Sequence, residues 1–245
     1  MPAERSSAFP YPDSADPDGL LAIGGNLSPL MLLDAYTHGI YPLFSPGEPV
    51  LWWCPDPRCV LLPDNFHISA RSRRKIAAQK FRLTINHAFS GVIRACAEPR
   101  GDLHGDWIGQ DIIRAYTRLY DMKLAFSVEA WQGEQLVGGL YGVALKPIFF
   151  GESMFHRVTE GSRAALCGLV SFLEQRHYTM IDCQQDSPHM RRMGATLMKR
   201  SEFVDFLDEK LLQGQDFLPS GFNDPHIPPE TWEYNSTLQR WERGV

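Results

Sequence analysis

Residues 124–185, LAFSVEAWQGEQLVGGLYGVALKPIFFGESMFHRVTEGSRAALCGLVSFLEQRHYTMIDCQQ, change periodicity twice, and that change decides the fold. Leu124 to Trp131 alternates as a strand does, Gln132-Gly133-Glu134 turns, Gln135 to Ala144 returns, and Pro147 to Met154 gives a third strand. Ala165, Leu166, Leu169, Val170 and Leu173 then recur at helical spacing within Ser162 to Arg176. Thr179 to Gln185 reads as strand again, and Glu202 to Leu212 as a second amphipathic helix. The order βββαβα predicts an α/β (α+β) fold with a mixed sheet flanked by helices.

Upstream the chain has another character. Residues 1–18 read as loose chain, and a short apolar run from Gly19 leads to a helix start at Ser28-Pro29, with Gly39 placed to end that helix. Gly24-Gly25 lacks the GxGxxG spacing of a dinucleotide loop. Residues 41–63 hold six of the 18 prolines, which forbids a long helix and favours rigid loop around Trp52 and Trp53. We therefore expect a small N-terminal domain over residues 1–100, with a flexible start, and a larger domain over 101–245 ending in an acidic tail.

Composition narrows the class. With 44% hydrophobic and 22% charged residues, 245 residues describe a globular chain able to bury a core without staples. Its five cysteines form neither a disulfide framework nor a CxxC metal site, so reduced thiols, a cytoplasmic setting and no metal are expected. No signal-peptide pattern and no run of membrane-spanning length is present, so no membrane partner is expected. The net charge of −5 is uneven: residues 201–245 carry nine acids and three bases, which leaves a neutral-to-basic body. Within it, Ala70 to Leu83 holds six bases and no acid, either a solvated helix face or a phosphate-binding patch.

Two strings at predicted strand ends carry chemistry, Gly151-Glu152-Ser153-Met154-Phe155 and Ile181-Asp182-Cys183-Gln184. Strand alternation puts Asp182 and Gln184 on one side and buries Cys183 on the other, away from any base that would make it a nucleophile. Strands on either side of one helix often lie adjacent, so Glu152, Asp182 and Gln184 are expected to meet at one sheet edge. Two acids and an amide suit an amine-bearing substrate.

The strings GESMF, IDCQ with His189 and Gly194-Ala195 after it, GLLAIGGNLSP, Phe44-Ser-Pro-Gly with LWWCPDPR, and LVGGLYGV together resemble the bacterial leucyl/phenylalanyl-tRNA-protein transferases over roughly residues 10 to 210. The resemblance implies transfer of Leu, Phe or Met from aminoacyl-tRNA to an N-terminal Arg or Lys of a protein, which marks it for degradation in the N-degron pathway. It implies a small N-terminal domain joined to a GNAT-like acyltransferase domain, with no coenzyme A, no other cofactor and no metal. A monomer is expected.

Position by position, the resemblance assigns Gln184, Asp182 and Glu152 to catalysis. Trp107 and Tyr116 go to the adenosine and ester end, Tyr36 to another aromatic position, and Phe149 and Leu140 to the side-chain pocket. Gln184 would orient the attacking amine, Asp182 would hold the Gln184 NH2 group or weakly accept a proton, and Glu152 would organise the site or attract the acceptor's positive end. Arg71, Arg73, Arg74 and Lys75 are expected on tRNA phosphates. The chain departs from the pattern at Leu43, where relatives place Trp, at Ser187, where they often have Asn near Gln184, and at Arg191 and Arg192, which replace small or polar residues. Two rivals remain at this point. An acetyltransferase would need a Gly-rich phosphate loop, for which Thr159 to Arg163 offers one glycine; an adaptor for basic N-termini would have no use for Trp107, Tyr116 or the basic run.

Overall fold

A computed structural model describes residues 7–99, 107–212, 230–235 and 240–243. The N-terminal part builds β1 (Leu20–Ile23), α1 (Pro29–Thr37), β2 (Tyr41–Pro42) and β3 (Leu51–Trp53), the three strands forming a small sheet in the order β1-β3-β2. Ser28 caps α1 by accepting from the Met31 amide, with Pro29 in the first turn, as the sequence dictates. Residues 7–18 are better tied than expected, because Asp34 on α1 accepts hydrogen bonds from Ser7 Oγ and the Ala8 amide. Residues 1–6 lie outside the described residues.

The chain continues through β4 (Arg58–Leu61), α2 (Ala70–Gln79), β5 (Arg82–Ile85), α3 (Phe89–Cys96), α4 (Gln110–Asp121), β6 (Ala125–Gln132), β7 (Gln135–Leu145) and β8 (Ile148–His156). Then come α5 (Gly161–Gln175), β9 (Met180–Asp182), α6 (Pro188–Arg191), β10 (Thr196–Met198), α7 (Arg200–Leu207), β11 (Glu230–Asn235) and β12 (Arg240–Arg243). The predicted βββαβα order is present as β6-β7-β8-α5-β9-α7, with α6 and β10 inserted before the last helix. The strands from β4 to β12 form one mixed sheet, ordered β10-β4-β9-β8-β7-β6-β5-β11-β12. Among the described residues only β8 and β9 run parallel, and α5 is the crossover that such a pair requires.

The sheet crosses the expected boundary at residue 100. β4 hydrogen-bonds to β9 and β5 to β6, so residues 58–61 and 82–85 belong to the larger sheet. The small N-terminal part shares a core with it: Leu32, Tyr36 and Trp52 pack in one cluster with Tyr116, Phe150 and Phe203. On the opposite face, α5 packs Leu166, Leu169 and Phe172 with Phe126 and Phe149. The acidic tail contributes too, since β11 pairs with β5 and buries Trp232 against Phe172; residues 213–229 of it lie outside the described residues.

Candidate active site

Glu152 owes its placement to an irregularity in β8. The ladder pairs Tyr141 with Ser153 and Gly142 with Gly151, which leaves Glu152 as the extra residue of a bulge. Gly142, opposite the bulge, has no space for a side chain, because a Cβ there would lie 2.2 Å from the Phe150 carbonyl oxygen and 2.5 Å from the Phe149 ring. The bulge turns the Glu152 carboxyl inward, where Oε1 accepts from Tyr36 Oη at 2.7 Å and from Gln184 Nε2 at 3.0 Å. The Tyr116 hydroxyl closes on that of Tyr36. Since Tyr36 gives its proton to Glu152, the chain runs Tyr116 to Tyr36 to Glu152, and the Gln184 amide joins from the other side.

Burial pushes the Glu152 carboxyl up to about 7, against the opposing pull of the Tyr36 hydrogen bond. Burial, reinforced by the nearby Glu152 charge, also holds Tyr36 and Tyr116 well above the usual phenol range, so both stay protonated donors. This carboxyl is 8% exposed, with two donors on one oxygen and its ionisation disfavoured by burial. It is poorly fitted to attract a cation from solvent.

Gln184 lies outside regular strand. β9 stops at Asp182, and Gln184 takes the left-handed conformation, with φ of 62°. Alternation therefore does not govern residues 183 and 184, and the expected burial of Cys183 on the far face is corrected: Cys183 and Gln184 both line the same cavity, half-buried. Hydrogen bonding to Cys59 and burial raise the Cys183 thiol well above its ordinary value, which disfavours the thiolate there.

The expected link between Asp182 and the Gln184 side chain is also corrected. Asp182 Oδ1 accepts from the Gln184 backbone amide at 2.9 Å, while Glu152 receives the Gln184 NH2 group. Both Asp182 oxygens are engaged by Arg58, from Nε at 2.8 Å and Nη2 at 2.6 Å, and both partners are buried. Burial opposes the Arg58 charge, yet Asp182 outweighs it and keeps the guanidinium protonated.

The cavity beside these groups encloses about 220 Å³. Leu140, Phe149, Leu166, Leu169, Ile181 and Met190 make its apolar wall, and Glu152, Asp182, Gln184 and Ser187 its polar side. Tyr141 joins the lining from β7, edge-on to Tyr116. The Tyr141 hydroxyl and Glu152 Oε2 are buried there with no hydrogen-bond partner among the described residues. Ser187 also caps α6, accepting from the Met190 amide at 3.4 Å.

Thus Leu140, Phe149, Glu152, Asp182, Gln184 and Ser187 share one cavity, and Tyr36 and Tyr116 reach it through Glu152. Trp107 stands apart from its lining, half-buried against the shared core just before α4. Leu43 is half-buried in that core as well, and its carbonyl accepts from Trp53 Nε1 at 2.7 Å. Arg71, Arg73, Arg74 and Lys75 lie on α2, the first three exposed, and α2 meets α5 where Arg163 donates to Ser72 Oγ at 3.1 Å. Arg191 makes a two-point ion pair with Asp186 on the surface, and Arg192 is exposed.

Sequence reasoning missed Arg58 and Tyr141. Arg58 had one signal, a lone cation heading the apolar run Cys-Val-Leu-Leu; Tyr141 sat unremarked inside LVGGLYGV. Among the described residues no group of three His, Cys, Asp or Glu could hold a metal, and no helix is long and apolar enough to cross a membrane.

The model of the family described as leucyl/phenylalanyl-tRNA protein transferase matches residues 60–208, and that of its N-terminal domain matches residues 25–56. A leucyl/phenylalanyl-tRNA–protein transferase of Shewanella baltica is 48% identical over 237 residues, 96% of this chain and 95% of its own length. One from Methylococcus capsulatus is 44% identical over 235 residues, 95% of each chain. Among solved structures, L-PGS from Bacillus licheniformis aligns at 12% identity and a TM-score of 0.35, over 66% of this chain and 52% of its own, too distant to bear on function. Because the two family matches together span both the helix that carries Tyr36 and the strands that carry Glu152 and Asp182, the chain belongs to the leucyl/phenylalanyl-tRNA–protein transferase family.

Proposed function

We propose that this aminoacyltransferase moves Leu, Phe or Met from its tRNA to the N-terminal Arg or Lys of an acceptor protein, making a peptide bond and an N-degron, in the cytoplasm. The observation that carries this reading is the composition of the cavity. An apolar wall with two unpartnered acceptors, Glu152 Oε2 and the Tyr141 hydroxyl oxygen, suits a ligand that is apolar at one end and bears an amine. The aminoacyl group of the donor is such a ligand, its side chain on the wall and its α-amino group toward the acceptors. Burial at about 0.8 kcal/mol per methylene favours large apolar side chains over small ones and separates large ones weakly.

The chemistry asks little acid or base of the protein. The acceptor's amine nitrogen bonds to the ester carbonyl carbon, the C–O bond to the terminal ribose breaks, and the ribose oxygen leaves with the proton the amine gives up. An α-amino group with an ordinary pKa of about 7.7–8.0 is partly neutral near pH 7, so positioning is the main demand. Glu152 takes the Gln184 NH2 group, which turns the amide carbonyl oxygen outward to accept from the attacking amine and aim its lone pair. Asp182 supports Gln184 through its backbone. Trp107 serves the adenosine end, and Arg71, Arg73, Arg74 and Lys75 take tRNA phosphates.

The acetyltransferase alternative loses ground at the start of α5. Glu160, buried and paired with Arg163, stands at the helix N-terminus where a pyrophosphate would need a free cradle. The test is direct: incubate the protein with radiolabelled Leu-tRNA or Phe-tRNA and a protein beginning with Arg or Lys. Label is expected in acid-stable, RNase-resistant protein. An acceptor beginning with Ala that is labelled equally would overturn the acceptor assignment, and no label with any acceptor would overturn transfer.

A further inference from the structure

Arg58 is wholly buried, yet each edge of its guanidinium is used. Nε and Nη2 grip the Asp182 carboxylate at 2.8 and 2.6 Å, and Nη1 donates to the Gly39 carbonyl at 2.8 Å. The rings of Tyr41 and Phe203 lie 4.8 Å from the guanidinium carbon, so aromatic faces further restrain it. These partners belong to different layers of the molecule. Gly39 closes α1, two residues after its end, and its amide returns to the Tyr36 carbonyl at 3.1 Å. Asp182 ends β9 and accepts the Gln184 amide.

The two arms converge again inside the site. Tyr36 on the α1 side and Gln184 on the β9 side both donate to Glu152 Oε1. A closed circuit therefore runs from Arg58 through Gly39 and Tyr36 to Glu152, and back through Gln184 and Asp182. Gln184 sits at positive φ, a conformation that costs a residue with a side chain and persists only where surrounding bonds hold it. Asp182, itself fixed at two points by Arg58, supplies such a bond.

We infer that Arg58 is a positioning residue for aminoacyl transfer: by joining Asp182 to Gly39 it sets the Gln184 amide and the Tyr36 hydroxyl in register on Glu152. This rests on the reading of Gln184 as the group that orients the attacking amine. Arg58 touches no substrate. Its effect is on the geometry of groups that do, and displacement of a reacting group by about 1 Å can cost on the order of 100-fold in rate. Lysine cannot replace it, because an ammonium is a point donor without the planar fork that spans one carboxylate and a carbonyl beyond it.

Arg58→Lys keeps the charge and tests the fork. Hydrogen exchange is expected to show the Gln184 amide exchanging roughly tenfold or more faster than in the wild type, while the amides of α5 keep their protection. In steady-state transfer from Phe-tRNA, kcat is expected to fall roughly tenfold or more with KM within about threefold. Unchanged exchange at Gln184, or a wild-type kcat, overturns the proposal; so does a loss of protection spread evenly over the chain, which marks a structural role alone.

Should Arg58→Lys not fold, the double variant Arg58→Met, Asp182→Asn removes both buried charges and leaves a side-chain carbonyl oxygen at position 182 to accept the Gln184 amide. Compared with Asp182→Asn alone, it is expected to lose kcat and Gln184 protection, and equal values in the two variants overturn the proposal. Wild-type protein that transfers nothing would contradict the proposed function, while the exchange comparison would still decide the part played by Arg58.

Discussion

At the scale of single residues, the site works by assigning each hydrogen-bonding atom its partner. Glu152 Oε1 takes two donors and the Gln184 NH2 group is spent on it; in the proposed function the Gln184 carbonyl oxygen then accepts from the substrate's amine. Gln184→Ala is therefore expected to lower kcat by roughly 100-fold or more while KM for the aminoacyl-tRNA moves little, since an interaction made in the transition state is removed. Equal losses in kcat and in affinity would contradict the orienting role. Tyr36→Phe removes one donor to Glu152 and the acceptor of the buried Tyr116 hydroxyl, so a fall in kcat of about tenfold with a loss of roughly 1–3 kcal/mol of stability is expected, and a wild-type kcat would contradict the role given to Tyr36. The residues of this site were legible to different degrees. Glu152, Asp182 and Gln184 stood out because polar groups at strand ends are conspicuous, whereas which of them bond to each other was hidden. That depends on a bulge at Glu152 and a positive φ at Gln184, and neither departs from ordinary composition. Arg58 was hidden because its partners, Gly39 and Asp182, are distant in sequence.

At the scale of elements, β8 and α2 carry the sharpest consequences. The bulge in β8 needs a glycine opposite it, so Gly142→Ala is expected to cost roughly 2–4 kcal/mol of stability, read by denaturant unfolding, because its Cβ would overlap a backbone carbonyl. A variant as stable as the wild type would show that the ladder tolerates another register. On α2 the side chains of Arg71, Arg73 and Arg74 are exposed and Ile76 is buried, the distribution expected of a helix that offers its cations outward. The double variant Arg73→Ala, Arg74→Ala is expected to weaken tRNA binding and to flatten log affinity against log salt by about 0.7–0.9 for each phosphate that is no longer neutralised. An unchanged slope would move the RNA surface off α2. The hairpins and α5 announced themselves through periods of 2 and 3.6. The helix α4 did not, although Ile112, Ala115, Tyr116 and Leu119 lie on one of its faces, and Tyr116 was reached only through family likeness. The strand β11 was masked by the acids around it, its Trp232 being buried by a partner strand about 150 residues away in sequence.

At the scale of the molecule, β4 and β5 join the nine-stranded sheet and one shared core binds the small N-terminal sheet to it, which explains why the expected division at residue 100 does not follow the packing. The interior also holds two carboxyls that burial pushes up to about 7, Glu152 and Glu129. Glu129 accepts from Ser127, Thr84 and the amides of His87 and Ala88, so it serves the start of α3 in place of a capping side chain. In the unfolded chain such groups release their protons near pH 4.3; the folded chain keeps them to about 7, so this contribution to stability is complete below about 4.3 and is lost as pH rises through 7. Glu129→Gln is expected to make the melting temperature fall less steeply from about pH 5 to about 8 than in the wild type, and an identical slope would contradict that assignment.

The decisive question is where the donor's amino acid sits. A crystal structure with a non-hydrolysable phenylalanyl-amino-adenosine measures this most directly. The phenyl ring is expected in the cavity between Leu140 and Phe149, its α-amino group near Glu152 Oε2 and Tyr141, and its carbonyl carbon within reach of an amine held by Gln184. An analogue bound with its ring elsewhere, for instance in the groove between Phe44 and Arg118, and the Glu152 cavity empty, would contradict it.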